Sequence, residues 1–122
     1  MNHLNKYIGN KGESLAEGYL ENHDYKILEK NFTCKIGEID IIAKNDEYIS
    51  FVEVKTRRSL QFGLPAEAVT YNKQQKIYRS AQMYILKNKL YNSSFRFDVI
   101  EIILNSNNSC ISINLIKNAF QI

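Results

Sequence analysis

The stretch "GEIDIIAKNDEYISFVEVKTR", Gly37 to Arg57, decides the fold. Two runs rich in Ile, Val, Phe and Tyr, 36–44 and 48–55, read as strands. Asn45-Asp46 between them supplies the chemistry of a tight turn. Within these strands Glu38, Asp40, Glu53 and Lys55 hold positions where an apolar residue would ordinarily be more favourable. Glu53 and Lys55 are two apart, so they leave the same face. With Asn45-Asp46 as a two-residue loop, Lys44 opposes Glu47, Asp40 opposes Phe51 and Glu38 opposes Glu53. Asp40 and Glu53 then share a face as diagonal neighbours, about 7–8 Å apart. An odd-length loop without a bulge would send them to opposite faces.

Two carboxylates converging on one face repel each other, and desolvation worsens the repulsion. A hard divalent ion such as Mg²⁺ offsets it, since it is bound by one or two carboxylates with water and phosphate completing the shell. Such a site activates water against a phosphodiester, and Lys55 beside it supplies a fixed positive charge or orients the water. The plainer alternative is a surface Glu53–Lys55 pair worth little, with Asp40 on a solvent face. Glu38 is either a further ligand or an exposed residue at the strand's start.

Upstream, "GESLAEGYLENH" sets Leu15, Ala16, Tyr19 and Leu20 on one side of a helix, with Glu13 bordering that face. "YKILEKNF" (25–32) reads as a strand. Downstream, "RRSLQFGLPAEAV" is a loop holding the only proline, Pro65. A helix from the N-cap Thr70 to about Asn88 follows, its apolar face Ile77, Ala81, Tyr84 and Ile85. "FRFDVIEIIL" (95–104) and "CISINLI" (110–116) form a closing hairpin. The order is α-β-β-β-α-β-β, an α/β arrangement of a mixed sheet flanked by helices.

At 122 residues this is one domain, 1–122, with 1–8 expected to be a flexible N-terminal segment. The segment "MNHLNKYIGNKGES" has no apolar h-region, and no run approaches membrane-spanning length. A cytoplasmic protein without a membrane partner is expected, its Cys34 and Cys110 buried free thiols rather than a disulfide. His3 and His23 fit no zinc pattern. Net charge is only +3, yet between Lys55 and Arg79 six basic residues face a single acid, Glu67. A localised basic surface suits a polyanionic partner, although a solvated helix face and loop would read the same way. Phe62 and Tyr71 beside it could stack on unpaired bases, with core packing the commoner fate for Phe62.

"KGESLAEGYL", "GEIDIIAKNDEYISFVEVKTR" and "FGLPAEAVTYNKQQKI" together resemble the YraN-type (UPF0102) family of small bacterial proteins. That family is similar in turn to the PD-(D/E)xK nucleases, especially the archaeal Holliday-junction resolvases. The resemblance runs from about Gly9 to Ile85. It implies a restriction-endonuclease-like αβββαβ core and a Mg²⁺- or Mn²⁺-dependent endonuclease acting on DNA, branched or structured DNA included. The helix-one acid falls on Glu13, the metal-binding aspartate on Asp40, and the E-x-K pair on Glu53 and Lys55. Asp40, Glu53 and Glu13 would hold the metal. The helix-two polar position falls on Lys73 or Gln74, and Ile39 replaces the superfamily's proline. Arg57, Arg58, Lys73, Gln74, Lys76 and Arg79 would contact nucleic acid. A non-catalytic nucleic-acid-binding module of nuclease descent is the alternative. Resolvase-like relatives pair around two-fold junctions, so a homodimer is compatible with the resemblance.

Overall fold

The computed structural model describes residues 3–46, 48–58 and 69–121. The chain runs α1 (His3–Asn22), β1 (Lys26–Thr33), β2 (Glu38–Lys44), β3 (Tyr48–Arg58), α2 (Tyr71–Asn88), β4 (Ser94–Leu104) and β5 (Cys110–Ile116). This is the element order that periodicity predicts. Several strand bounds differ by one to three residues, and the start of the first helix differs by more. Helix α1 begins at His3, within the stretch 1–8, and its Ile8 packs against the cluster beneath the helix. The stretch with Phe62, Pro65 and Glu67 lies outside the described residues.

Thr70 caps α2 as its residue type suggests, Oγ1 accepting from Lys73 N–H at 3.2 Å. The helix stops at Lys89, whose left-handed backbone (φ 54°) lets its N–H reach the Ile85 and Leu86 carbonyls.

The strands lie in chain order, β1-β2-β3-β4-β5. All neighbours are antiparallel except β3 and β4, which are parallel and joined through α2. Helix α2 packs on one face, over Phe32, Ile42, Phe51 and Val99. Helix α1 packs on the other, over Ile41, Val52, Ile100 and Ile102. With both faces covered, the inner strands read as near-continuous apolar runs rather than strict alternation. Polar residues in such strands therefore stand out.

The β2–β3 hairpin closes where Asn45 N–H donates to Tyr48 O at 3.1 Å and Asn45 Oδ1 accepts from Tyr48 N–H at 2.8 Å. The ladder pairs Lys44 with Ile49, Ile42 with Phe51 and Ile41 with Val52. Lys44 was expected to oppose Glu47, so the register is displaced by two residues: Asn45 extends the ladder by one pair before the chain turns. An even displacement leaves every side chain on its face. The ladder ends at Ile41–Val52, and one step beyond lie Asp40 and Glu53. Ile39 and Ile42, three apart, both belong to the α2-side cluster, so alternation breaks around Asp40.

Elsewhere in the sheet a buried ionic network fixes the C-terminal segment. Asp98, fully buried, accepts from Ser50 Oγ, from Arg96 Nε at 2.9 Å and from Asn118 N–H at 2.7 Å. Arg96 also donates to Tyr25 Oη at 2.7 Å. The charge is tolerable because its acceptor sites are filled.

Candidate active site

Four elements deliver the polar cluster. Asp40 comes from β2, Glu53 and Lys55 from β3, Lys73 from the first turn of α2, and Glu13 from α1. Where the ladder stops, Asp40 bends its carboxylate back and Oδ2 accepts the Val54 N–H at 2.8 Å. A side chain thus replaces a backbone acceptor, and the aspartate is held beside Glu53.

Glu53 is only 6% exposed, and Lys73 Nζ lies 2.7 Å from its Oε1, with Lys55 Nζ 3.7 Å from the same oxygen. Asp40, Glu53 and Lys73 share a cavity of about 180 Å³ with Gly37, Glu38, Lys76 and Ile77. Glu13 and Lys55 line a neighbouring cavity of about 330 Å³ with Val54 and Thr56. Asn31, left-handed at φ 53°, stands between the acids at the rim: with its amide nitrogen turned towards them it donates to Glu13 Oε1 at 2.9 Å and Glu38 Oε1 at 3.1 Å.

The electrostatics follow from this crowding. Burial pushes the Asp40 carboxyl up to about 7, with the Glu53 charge next in weight and Glu13 adding to it. Glu13 is raised as well, by burial and then by Glu38, with Glu53 a smaller influence. Lys55 is pushed down, by burial first and then by Lys73 beside it. Burial works against the Lys73 ammonium too, yet its contact with Glu53 holds its pKa above the ordinary lysine value. The cluster carries negative charge that its two lysines only partly compensate.

Helix α1 reaches this place through a close approach. At Gly12 a Cβ would run into Thr56 Oγ1 and lie 3.0 Å from Thr56 Cβ on β3. Only a glycine lets the helix lie this near the strand, and the next residue is Glu13.

Among known proteins, the sequence profile of the family described as "Uncharacterised protein family UPF0102" matches residues 12–102. The chain belongs to the UPF0102 family. It is 58% identical over 123 residues to a UPF0102 protein of Clostridium botulinum strain Kyoto. To a UPF0102 protein of Clostridium tetani it is 57% identical over 122 residues. Both matches span the full length of each chain.

The remaining candidates divide in this UPF0102 protein. Lys76 and Arg79 are exposed on α2 and make no ion pair among the described residues. Gln74 spends its amide on the Val69 carbonyl, 3.0 Å away, which secures the start of α2. Arg57 and Arg58, expected beside them, are drawn into the fold. Arg57 pairs with Glu101 on β4, both largely buried, and Arg58 donates to Asn108 Oδ1 at 3.1 Å. Charge is visible along the chain, whereas the partner that meets it is not. Tyr71 is exposed at the start of α2.

Two details of the site escape sequence reading. Lys73, read both as a candidate for the helix-two polar position and as a nucleic-acid contact, is the nearest cation to Glu53, a pairing that its position in the chain does not show. Asn31 gave no signal, being one polar residue in a mediocre strand. Among the described residues no group of three or more His, Cys, Asp or Glu side chains is arranged to hold a metal ion. No helix among the described residues is long and apolar enough to cross a membrane.

Proposed function

We propose that this UPF0102 protein is a divalent-metal-dependent endonuclease that hydrolyses phosphodiesters in DNA, branched or otherwise structured DNA included, in the cytoplasm. The observation that carries the reading is the pair Asp40 and Glu53 in one small cavity, with the Asp40 carboxyl raised to about 7. A carboxylate pair in a cavity of this kind attracts a hard cation, and two carboxylates completed by water and phosphate oxygens suit Mg²⁺ or Mn²⁺.

Asp40 and Glu53 would hold the ion, with Glu13 acting through water from the rim. Bound there, the ion would supply Lewis-acid activation of water and neutralise charge developing on the phosphate. The chain's own residues do the rest. Lys55, its proton affinity lowered by burial, orients the attacking water and steadies the charge growing on the phosphoryl oxygens. Lys76 and Arg79 draw the backbone towards the cavity without reading its sequence. The Val54 N–H fixes the Asp40 carboxylate, so this ligand is already oriented before binding.

Cleavage of hairpin, flap, four-way and linear DNAs in Mg²⁺ or Mn²⁺ tests this, with Glu53→Ala as control. Metal-dependent cleavage lost in Glu53→Ala is expected. No cleavage of any substrate, or equal cleavage by the variant, would refute it. One observation favours a second reading, a nucleic-acid-binding module without catalysis: Lys73 already supplies Glu53 with a counter-cation. On that reading affinity falls steeply with salt and no strand is cut.

A further inference from the structure

On the proposed metal site, a divalent ion bonded through Glu53 Oε1 would compete with Lys73 for that atom. The ammonium stands 2.7 Å from Glu53 Oε1, within charge-assisted hydrogen-bond range. Lys55 approaches that oxygen less closely, at 3.7 Å. A hard dication binds through carboxylate oxygens at shorter range still. An ion bonded to Oε1 and an ammonium at its present distance would set two positive charges almost in contact. One of them must leave.

Lys73 is the one free to go. It sits in the first turn of α2 with its side chain 42% exposed, while its backbone N–H is held by Thr70. Its flexible stem can swing from Glu53 towards solvent without moving the helix. Lys55 lacks that freedom, lying on a central strand with its side chain 22% exposed. Lys73 also has somewhere to go. Lys76, one turn along, lines the same cavity, and Arg79 follows on a helix that contains no acidic residue. A phosphate drawn to this row arrives within reach of the Lys73 ammonium.

We infer that Lys73 is a tethered counter-cation: it occupies Glu53 until a nucleic-acid phosphate takes it over, and so makes metal and nucleic acid bind cooperatively. The inference rests on the proposed metal site and adds a rule of order to it. Without nucleic acid, Lys73 weakens metal binding. With nucleic acid, the lysine neutralises phosphate instead and the carboxylate is released. Binding of each ligand then favours the other by the same factor. Lys73 acts here as a positioning residue for Glu53, apart from any contact with the reacting atoms.

The test is a Mn²⁺ titration of the full, metal-stripped chain, read as the thermal-unfolding midpoint with and without a saturating hairpin DNA. Four proteins are compared: wild type, Lys73→Met, Lys73→Arg and Lys76→Met. Without DNA, the Mn²⁺ concentration at half-effect should fall about tenfold or more in Lys73→Met, the weight of one charge-assisted hydrogen bond. Lys73→Arg should stay near wild type. Lys76→Met, which removes a charge from the same cavity but no contact with Glu53, should change it by only about twofold. DNA should lower the half-effect concentration for wild type and leave Lys73→Met unmoved. A half-effect concentration in Lys73→Met equal to or above wild type would overturn the inference while leaving the metal site standing. Equal falls in Lys73→Met and Lys76→Met would reduce Lys73 to a diffuse charge and overturn it too. No Mn²⁺ response in any of the four proteins would remove both the inference and the metal site beneath it.

Discussion

Replacing Asp40 by Asn should stabilise the metal-free protein at pH 8 and leave it unchanged near pH 4. The Asp40 carboxyl is lifted from 3.8 to about 7 by burial and by Glu53. Since one pH unit corresponds to about 1.4 kcal/mol, titration of Asp40 alone would give roughly 4 kcal/mol. Glu53 shares the repulsion, which lowers the expectation to ~2–4 kcal/mol. A raised folded-state pKa means that the native protein keeps a proton which the unfolded chain has already lost. Wild-type stability is therefore highest below about pH 4, declines through the window from 3.8 to about 7, and stays depressed above it. An amide does not ionise, and its Oδ1 can still accept the Val54 N–H that Asp40 now accepts. Urea unfolding followed by circular dichroism in EDTA, from pH 4.5 to 8, measures both proteins. The two stability curves should diverge as pH rises, and adding Mn²⁺ at pH 8 should raise wild type while leaving Asp40→Asn where it is. Parallel curves, or an Asn variant weaker than wild type at pH 8, would refute the crowding of carboxylates on which the site depends.

Other perturbations probe separate parts of the molecule. Asp98→Ala should destabilise by about 3–5 kcal/mol in urea, because Arg96 is left buried without its counter-charge. Gly12→Ala should cost about 1–3 kcal/mol by forcing α1 off β3, and Thr56→Ala in the same chain should restore part of it by removing Oγ1 and Cγ2 from the contact. If the protein binds DNA, Lys76→Ala and Arg79→Ala should each lower the slope of log affinity against log salt by roughly one. Arg57→Ala should instead lower stability and leave that slope alone, since Glu101 already neutralises it.

How much of this was legible depended on whether a cause acts locally or across the fold. The shared face of Asp40 and Glu53 rests on parity, a period-two property of extended backbone. It therefore survived a register displaced by two residues, from Lys44 opposite Glu47 to Lys44 opposite Ile49. Thr70 as N-cap was equally readable, because the hydroxyl and the N–H it serves lie three residues apart. The choice of charge partner belongs to another class. Arg57 meets Glu101 across 44 positions of chain, through a parallel pairing that exists only once α2 has carried β4 back beside β3. Lys73 meets Glu53 by the same route, since the register of helix against sheet decides which cation of the row Lys73, Lys76, Arg79 reaches the carboxylate. A basic stretch read along the chain treats these cations as equivalent, whereas the fold pairs Arg57 with Glu101 and Lys73 with Glu53 and leaves Lys76 and Arg79 exposed without an ion pair among the described residues. Sequence thus identifies the acids, for which burial without compensation is locally visible as a charge in an apolar strand. It leaves open which cation answers them, and the order in which metal and nucleic acid would enter turns on that.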